Sequence, residues 1–593
     1  MKTYGFEKYL ILLVLLASAC SKPDRPENLL LITIDTLRAD HLGCYGYSDA
    51  KTPVIDRLAD QGTLFERAYA CAPTTLPSHA GILTGLYPPS TGIRDNGLFR
   101  LPSSIVTVTE VLHDHGFTTG AVLAADPLNQ RFGLDQGFDF YDAPGVQSHN
   151  YSVRNAGEIT SRAVSWLEGA DKDKPFFLWV HYFDPHAPYT PPEPFVGGTP
   201  VEQYDGEIAY TDQQIGALLQ ALEAQGNRDA TLVILTADHG ESLGEHGESG
   251  HSVFIYDATI HVPVIVSGPG IPRGKRIDRV VSNIDIPYTA CSLLKAGSMP
   301  DWTNSLPRQV APGDLFQDRG PRVVYSESMV PAIRYGWSGL TSIRTEDWLY
   351  IKAPREELYR LDDSDWGQVR NRIDSKAVSD ASLRKLLDEM VQKMPQPEAP
   401  QSSLADALSE EERRSMEQLG YLLAGAETSN PFEGELADPK DKIEISERIY
   451  EAVQAIGQGR LKKAMKQLQW VRENDADNVL SLMLLGDLFE KMDDMEEARD
   501  SYLKVLELSP NYWKAFSELA SLEVRMGRLD DAEGHLKKAL EIASFSAELW
   551  CKWGQMLEAQ GKTFEAADAY HQVLDMDEKN RFARKALQRM DKE

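Results

Sequence analysis

A threonine hydroxyl, two carboxylates that close apolar runs and several histidines carry the chemistry legible in this chain. Thr75 opens the run Thr75-Leu-Pro-Ser-His79-Ala-Gly-Ile-Leu-Thr-Gly85, and Pro77 fits the first turn of a helix. A hydroxyl at a helix N-terminus faces backbone N–H groups and the positive dipole end, a setting suited to an anion. Threonine is a weak nucleophile unless a base or a metal lowers its pKa. Asp35, at the end of Asn28-Leu-Leu-Leu-Ile-Thr-Ile-Asp35, and Asp238-His239, at the end of Thr231-Leu-Val-Ile-Leu-Thr-Ala-Asp238-His239, supply ligands for such a metal. Oxygen and imidazole donors suit zinc or manganese, with calcium as the harder, oxygen-only alternative. The metal would activate Thr75 and polarise an ester oxygen. His181, Asp184, His186 and His251 are further candidates, and Asp184 with His251 could complete a second metal site.

These residues need a scaffold that brings distant segments together. Residues 28–36, 176–181 and 231–239 are buried-strand patterns that stop at Asp or His, and helical segments lie between them. They predict an α/β sandwich with a largely parallel sheet, whose strand carboxyl ends form one site. From about residue 320 the runs shorten: Arg322-Val-Val-Tyr-Ser-Glu327, Leu340-Thr-Ser-Ile-Arg344 and Trp348-Leu-Tyr-Ile-Lys352 suggest a small antiparallel subdomain. The expected division is a catalytic domain over 27–318, that subdomain over 319–393, a linker rich in Pro, Glu, Ser and Asp over 394–444 with a helical run at 410–422, and a repeat array over 445–593. Ala464, Ala498, Ala532 and Ala566 recur at a fixed spacing, as do Ala452, Gly486, Ala520 and Gly554, and Leu468, Tyr502, Leu536 and Tyr570. Small residues at a helix crossing and bulky ones opposite match the tetratricopeptide pattern of paired helices, and the polar stretch from Asn580 would cap the stack.

At 593 residues the chain is long enough for two or three domains, and 42% hydrophobic content can fill their cores. A net charge of −29 with no basic stripe excludes nucleic-acid binding as the function class. Residues 1–20 read as an export leader: Lys2 and Lys8, an apolar run too short to span a membrane, then Ala17-Ser18-Ala19-Cys20. The ending resembles a bacterial lipobox, which implies a lipidated Cys20, a lipoprotein on the periplasmic side of the cell envelope and, with Ser21 following, the outer membrane. Cys44, Cys71, Cys291 and Cys551 show no framework spacing, so free thiols are expected.

Three segments taken together, Asp35-Thr36-Leu-Arg38-Ala-Asp40, the Thr75 run, and Asp238-His239-Gly-Glu-Ser-Leu-Gly-Glu245-His246-Gly247 with His251, resemble the sulfatase branch of the alkaline phosphatase superfamily from about Asn28 to Arg372. The resemblance implies a metal-dependent hydrolase of anionic esters. Thr75 stands where the family places the cysteine or serine that becomes formylglycine, and a threonine cannot form that aldehyde, so none is expected here. His186, in Asp184-Pro-His186, matches a family histidine near the leaving group, which implies a general acid. Thr36 and His239 replace oxygen ligands of the family's calcium site, shifting the expected metal to zinc or manganese. His79 replaces the family's arginine after the nucleophile and joins Thr75 and His186 as a candidate catalytic residue. The Asp238 string also resembles phosphoethanolamine transferases and lipoteichoic acid synthases, which use a metal-bound threonine.

Three functions follow. The first is a hydrolase of phosphate, phosphonate or sulfate esters with Thr75 as nucleophile. The second is a head-group transferase of the phosphoethanolamine type. The third is a catalytically silent scaffold that binds a partner protein through the repeats. Arg38 and Arg94 are candidate anion binders or surface arginines, Ser78 is read as a helix cap, and Cys71 as structural.

Overall fold

A computed structural model describes residues 25–97, 99–144, 153–301, 306–361, 368–373, 380–395, 436–544, 546–576 and 580–590. The leader with Cys20, and most of the 394–444 stretch with its 410–422 run, lie outside the described residues.

The large sheet has eight strands: β1 (Asn28–Ile34), β2 (Thr63–Tyr69), β3 (Thr118–Val122), β4 (Phe140–Asp142), β5 (Phe176–Tyr182), β6 (Thr231–Ala237), β7 (His261–Ser267) and β8 (Lys275–Ser282). Their order is β8-β2-β7-β6-β1-β5-β3-β4. All pairings are parallel except those of β7, which runs antiparallel to both β2 and β6. β1 is central because both of its faces are apolar. Leu30, Ile32 and Ile34 enter one core, Leu29 and Leu31 the other, as a two-residue side-chain period requires. Burying each such side chain contributes about 1.5–3 kcal/mol. Helices α1 (Thr75–Thr84), α2 (Ala156–Gly169) and α3 (Pro200–Ala224) cover the sheet.

A second sheet of four antiparallel strands follows: β9 (Val324–Ser328), β10 (Leu340–Arg344), β11 (Trp348–Lys352) and β12 (Glu357–Arg360). It is the expected small subdomain. It is stitched to the loop before α1, where Ser326 Oγ donates to the Ala70 carbonyl and the Glu327 N–H to that of Cys71.

The C-terminal part is all helical. Four antiparallel pairs, α4 (Pro439–Gly457) with α5 (Leu461–Asn474), α6 (Val479–Lys491) with α7 (Met495–Leu508), α8 (Trp513–Arg525) with α9 (Leu529–Ile542) and α10 (Ala547–Ala559) with α11 (Thr563–Met576), precede α12 (Arg581–Met590). Within each pair the recurring residues meet at the crossing. A Cβ on Gly554 would come within 2.6 Å of the Tyr570 ring, and one on Gly486 would press into Tyr502. Glycine therefore partners tyrosine in the second and fourth pairs, where the first and third have alanine and leucine (Ala452 with Leu468, Ala520 with Leu536). The first helix starts at Pro439, inside the stretch read as linker, because Asp438 caps it through the Lys440 N–H. No helix among the described residues is long and apolar enough to cross a membrane.

Candidate active site

Three adjacent strands deliver the central residues. Ile34 pairs with Tyr182 on one side and Ala237 on the other, so Asp35 and Asp238 leave the sheet side by side, with His181 one residue back on β5. All three are completely buried, as are His239, His79 and Thr75. Thr75 is the first residue of α1, and its Oγ1 lies 3.5 Å from His239 Nε2. His239 Nε2 is in turn 3.5 Å from Asp35 Oδ1 and 3.4 Å from Asp238 Oδ2.

These atoms fit a cation. His239 Nδ1 lies 3.0 Å from the Gly240 carbonyl, an acceptor, which assigns the ring proton to Nδ1 and leaves a lone pair on Nε2. That lone pair faces carboxylates, and all four oxygens of Asp35 and Asp238 lack hydrogen-bond partners, as do both nitrogens of His181. Converging lone pairs in a dry site repel one another unless a positive charge sits between them. Burial pushes the Asp35 carboxyl well above the usual range, and burial followed by the charge of Asp35 does the same to Asp238. Burial holds His239 at about 3, so its imidazole is neutral and able to ligate. Asp35, Asp238 and His239 have donor atoms within 4.8 Å of one another, and His181 Nε2 is 3.6 Å from Asp35 Oδ2. Two carboxylates with one or two imidazoles form a candidate metal site.

His79 has a different part. Its Nδ1 lies 2.8 Å from the Thr75 carbonyl, and its Nε2 3.1 Å from Thr33 Oγ1, which accepts from Trp179 Nε1 at 2.9 Å. The chain of bonds fixes a neutral imidazole that donates to the carbonyl, and burial holds it at about 3. Its Nδ1 also approaches Asp238 Oδ2 at 3.6 Å. With Nδ1 protonated and engaged, His79 orients the first turn of α1 beneath Thr75.

His186 and His251 stand together, both partly exposed where the central residues are not. His251 Nε2 is 3.3 Å from His186 Nε2, and the His251 ring lies 4.4 Å from that of His239. His186 Nδ1 donates to the Ala187 carbonyl at 2.6 Å, which turns its Nε2 lone pair toward His251. The pair can hold one proton between the two Nε2 atoms. Burial lowers both, His186 to about 4.

Other expectations change. Asp184 is outside the ligand cluster: its Oδ2 accepts the Ala156 N–H at 2.7 Å at the start of α2, and its backbone carbonyl accepts from Thr211, so it serves as a helix cap. Ser78 does not cap α1; it donates to the Asp238 carbonyl at 2.6 Å and accepts from Asn283 Nδ2, locking α1 to the end of β6. The start of α1 offers an anion fewer donors than expected, because Asn96 Oδ1 takes the Leu76 N–H at 2.8 Å and Pro77 has none. Arg38 is paired with Asp40 and Glu245, and Arg94 with Glu327. Cys71 is a buried free thiol, pushed up by burial. Two residues went unremarked in the sequence. Asn96 anchors α1. Glu241, two residues after His239, is fully buried and raised by burial and then by the charge of Asp35; its place in the string beginning at Asp238 was the available signal.

Known proteins share the fold and part of the sequence. Residues 27–296 match the family model described as Sulfatase, and residues 480–590 match one described as the TT21 fifth ARM repeats domain. The chain is 29% identical over 318 residues to an ulvan-active sulfatase of Formosa agariphila, covering 46% of this chain and 62% of that protein. It is 26% identical over 371 residues to an N-acetylgalactosamine-6-O-sulfatase of Bacteroides thetaiotaomicron, covering 45% and 72%. The fold is shared with the phosphonate monoester hydrolase of Agrobacterium radiobacter at a TM-score of 0.51 and 23% identity, over 62% of this chain and 96% of that one. The α/β part is similar in sequence to sulfatases over residues 27–296. The helices that follow form a repeat region; its match is to ARM repeats, and the tetratricopeptide assignment is not established by it.

Proposed function

We propose that this chain is a metal-dependent ester hydrolase of the sulfatase-like class, with Thr75 as its nucleophile and phosphoester or phosphonate ester substrates ahead of sulfate esters. One observation carries the reading: the Thr75 hydroxyl stands 3.5 Å from a neutral His239 whose lone pair meets the unpartnered carboxylates of Asp35 and Asp238. Asp35, Asp238 and His239, with His181 beside them, would hold zinc or manganese, which when bound supplies Lewis-acid charge to the hydroxyl and the ester oxygen. His79 holds the Thr75 carbonyl and so the angle of the side chain. Thr75 Oγ forms a bond to phosphorus or sulfur as the ester bond to the alcohol breaks. The proton that Thr75 releases passes to the departing oxygen through the His186–His251 pair, whose imidazoles are neutral between turnovers. Water then cleaves the threonine ester and regenerates Thr75. Preference for phosphorus rests on the hydroxyl itself, since a threonine cannot supply the aldehyde hydrate of formylglycine.

The helical array is read as tetratricopeptide repeats on its residue spacing, with a protein partner. The leader is read as a lipoprotein signal, with Cys20 anchoring the protein on the periplasmic side of the outer membrane. The test is turnover of aryl phosphate, phosphodiester, phosphonate ester and sulfate ester by protein lacking residues 1–20, with zinc, manganese or calcium, beside Thr75→Ala. Turnover of phospho- or phosphonate esters that disappears in Thr75→Ala is expected. Activity on sulfate esters alone would reverse the substrate preference, and activity surviving in Thr75→Ala would remove the nucleophile assignment.

A further inference from the structure

The repeat array meets the catalytic domain at the loop that carries His251. Helix α4 lies on the loop 242–251, which ends at His251. Glu447 Oε1 accepts the Ser249 N–H at 3.0 Å, and Ile443 sits against Gly247. Lys440 Nζ donates to Glu357 Oε1 at 2.9 Å, and Glu357 Oε2 accepts from Tyr256, whose ring is stacked 3.7 Å under His246 of the same loop. An apolar seam of Trp337 with Ile445, Ile449 and Val453 completes the joint. α4 is thus fixed against the loop that carries His251.

α4 carries Glu447, which touches that loop, and Tyr450, three positions on and therefore its neighbour on the helix. Tyr450 is 40% exposed. Burial of its hydroxyl, and then the charges of Glu241 and Glu447, push it up to about 12. The arginines nearest the site are each matched by a carboxylate: Arg38 by Asp40 and Glu245, Arg94 by Glu327, Arg334 by Asp95. The basic residues of α4 are engaged too, Lys440 with Glu357, Lys442 with Asp475 and Arg448 with Glu444. Among the described residues this joint therefore offers no uncompensated cation to a second anionic group, and it presents a carboxylate beside a partly exposed tyrosine. That pairing attracts an organic cation by charge and by the ring face together.

We infer that α4 forms the outer wall of the substrate entrance, and that Glu447 and Tyr450 select esters whose leaving alcohol carries a cationic group, against polyanionic chains. The inference rests on the hydrolase reading above and specifies its substrate. The experiment compares kcat/KM for three aryl esters of the same acid, whose rings carry a trimethylammonium group, no charge or a carboxylate, in wild type, Glu447→Gln and Tyr450→Leu. Glutamine keeps the oxygen that accepts the Ser249 N–H, so the loop keeps its anchor while the charge is removed. The cation-to-anion ratio of kcat/KM is read relative to wild type, which cancels the intrinsic reactivity of the esters. It is expected to fall about tenfold in Glu447→Gln, as one charge removed at close range in a partly wet site dictates, and a fall smaller than about threefold overturns the inference. In Tyr450→Leu the KM for the ammonium ester is expected to rise; an unchanged value removes Tyr450 from the assignment. Turnover of the uncharged ester by wild type separates the two levels, since its absence with every metal refutes the hydrolase reading and this inference with it.

Discussion

Asp35→Asn should stabilise the protein in the absence of metal, and metal should narrow that gain. Asp35 and Asp238 are completely buried, and none of their carboxylate oxygens has a hydrogen-bond partner. Burial raises both carboxyls well above their ordinary value, and the charge of Asp35 raises Asp238 further. A group whose folded pKa lies above its unfolded value contributes stability that is complete below the unfolded pKa and lost as pH rises toward the folded one. For a carboxyl with an unfolded pKa near 3.9, that loss is roughly 1.4 kcal/mol per pH unit, so at most about 4 kcal/mol at pH 7. Asparagine keeps the shape and carries no such cost. In chelator, Asp35→Asn should be more stable than wild type by up to about 4 kcal/mol at pH 7, with the gap closing toward pH 4. With zinc or manganese at a hundredfold excess over Kd, wild type gains about 2.7 kcal/mol, and the variant, short of one ligand, gains less. Urea denaturation between pH 5 and 8, in chelator and in metal, reads both effects. If Asp35→Asn is the less stable protein in chelator at every pH, the carboxylate is satisfied by the protein itself and the metal-site reasoning fails.

Further consequences are open to direct test. His186→Gln should lower kcat on alkyl esters by about 10²–10⁴-fold while leaving nitrophenyl esters little affected, because a good leaving group needs no proton; equal losses on both would contradict the general-acid role. Gly486→Ala should cost about 1–3 kcal/mol by driving a methyl into the Tyr502 ring. Adding Tyr502→Leu recreates the alanine–leucine pair of the neighbouring repeats, so denaturation should show strong coupling in the double variant, and simple additivity would refute the crossing geometry. Half-buried Cys44 and Cys551 should react with a thiol reagent in the native protein before buried Cys71 and Cys291, as mass mapping of labelled peptides can show.

Much of the scaffold could be read from local pattern. Residues 28–36 and 231–239 announced buried strands because both of their faces are apolar, and the polar residue that ends each is where the chain leaves the sheet. Three of the four strands of the second sheet fell on the runs 322–327, 340–344 and 348–352, and only β12 (Glu357–Arg360) went unread as a strand. The repeat spacing was legible because each helix crossing admits only a small residue against a bulky one. What sequence could not give was partnership across the chain. Asp184 and Ser78 are of types suited to several tasks, and only the position of the Ala156 N–H and of the Asp238 carbonyl decides which task each performs. The place of His181 beside Asp35 follows from the β1–β5 register, which no local pattern encodes. Nor could the docking of α4 on the loop 242–251 be foreseen, since it joins residues about 200 positions apart through single contacts such as Ser249 with Glu447.

The central claim is that the Thr75 oxygen takes the group released from the ester. Rapid acid quench of the metal-loaded enzyme during turnover, followed by mass analysis of the peptide containing Thr75, tests it directly. A phospho, phosphono or sulfo adduct on Thr75 that forms and decays at the rate of turnover, and is absent from Thr75→Ala, is the predicted result. Turnover with the adduct on another residue, or with full activity retained in Thr75→Ala, would contradict it.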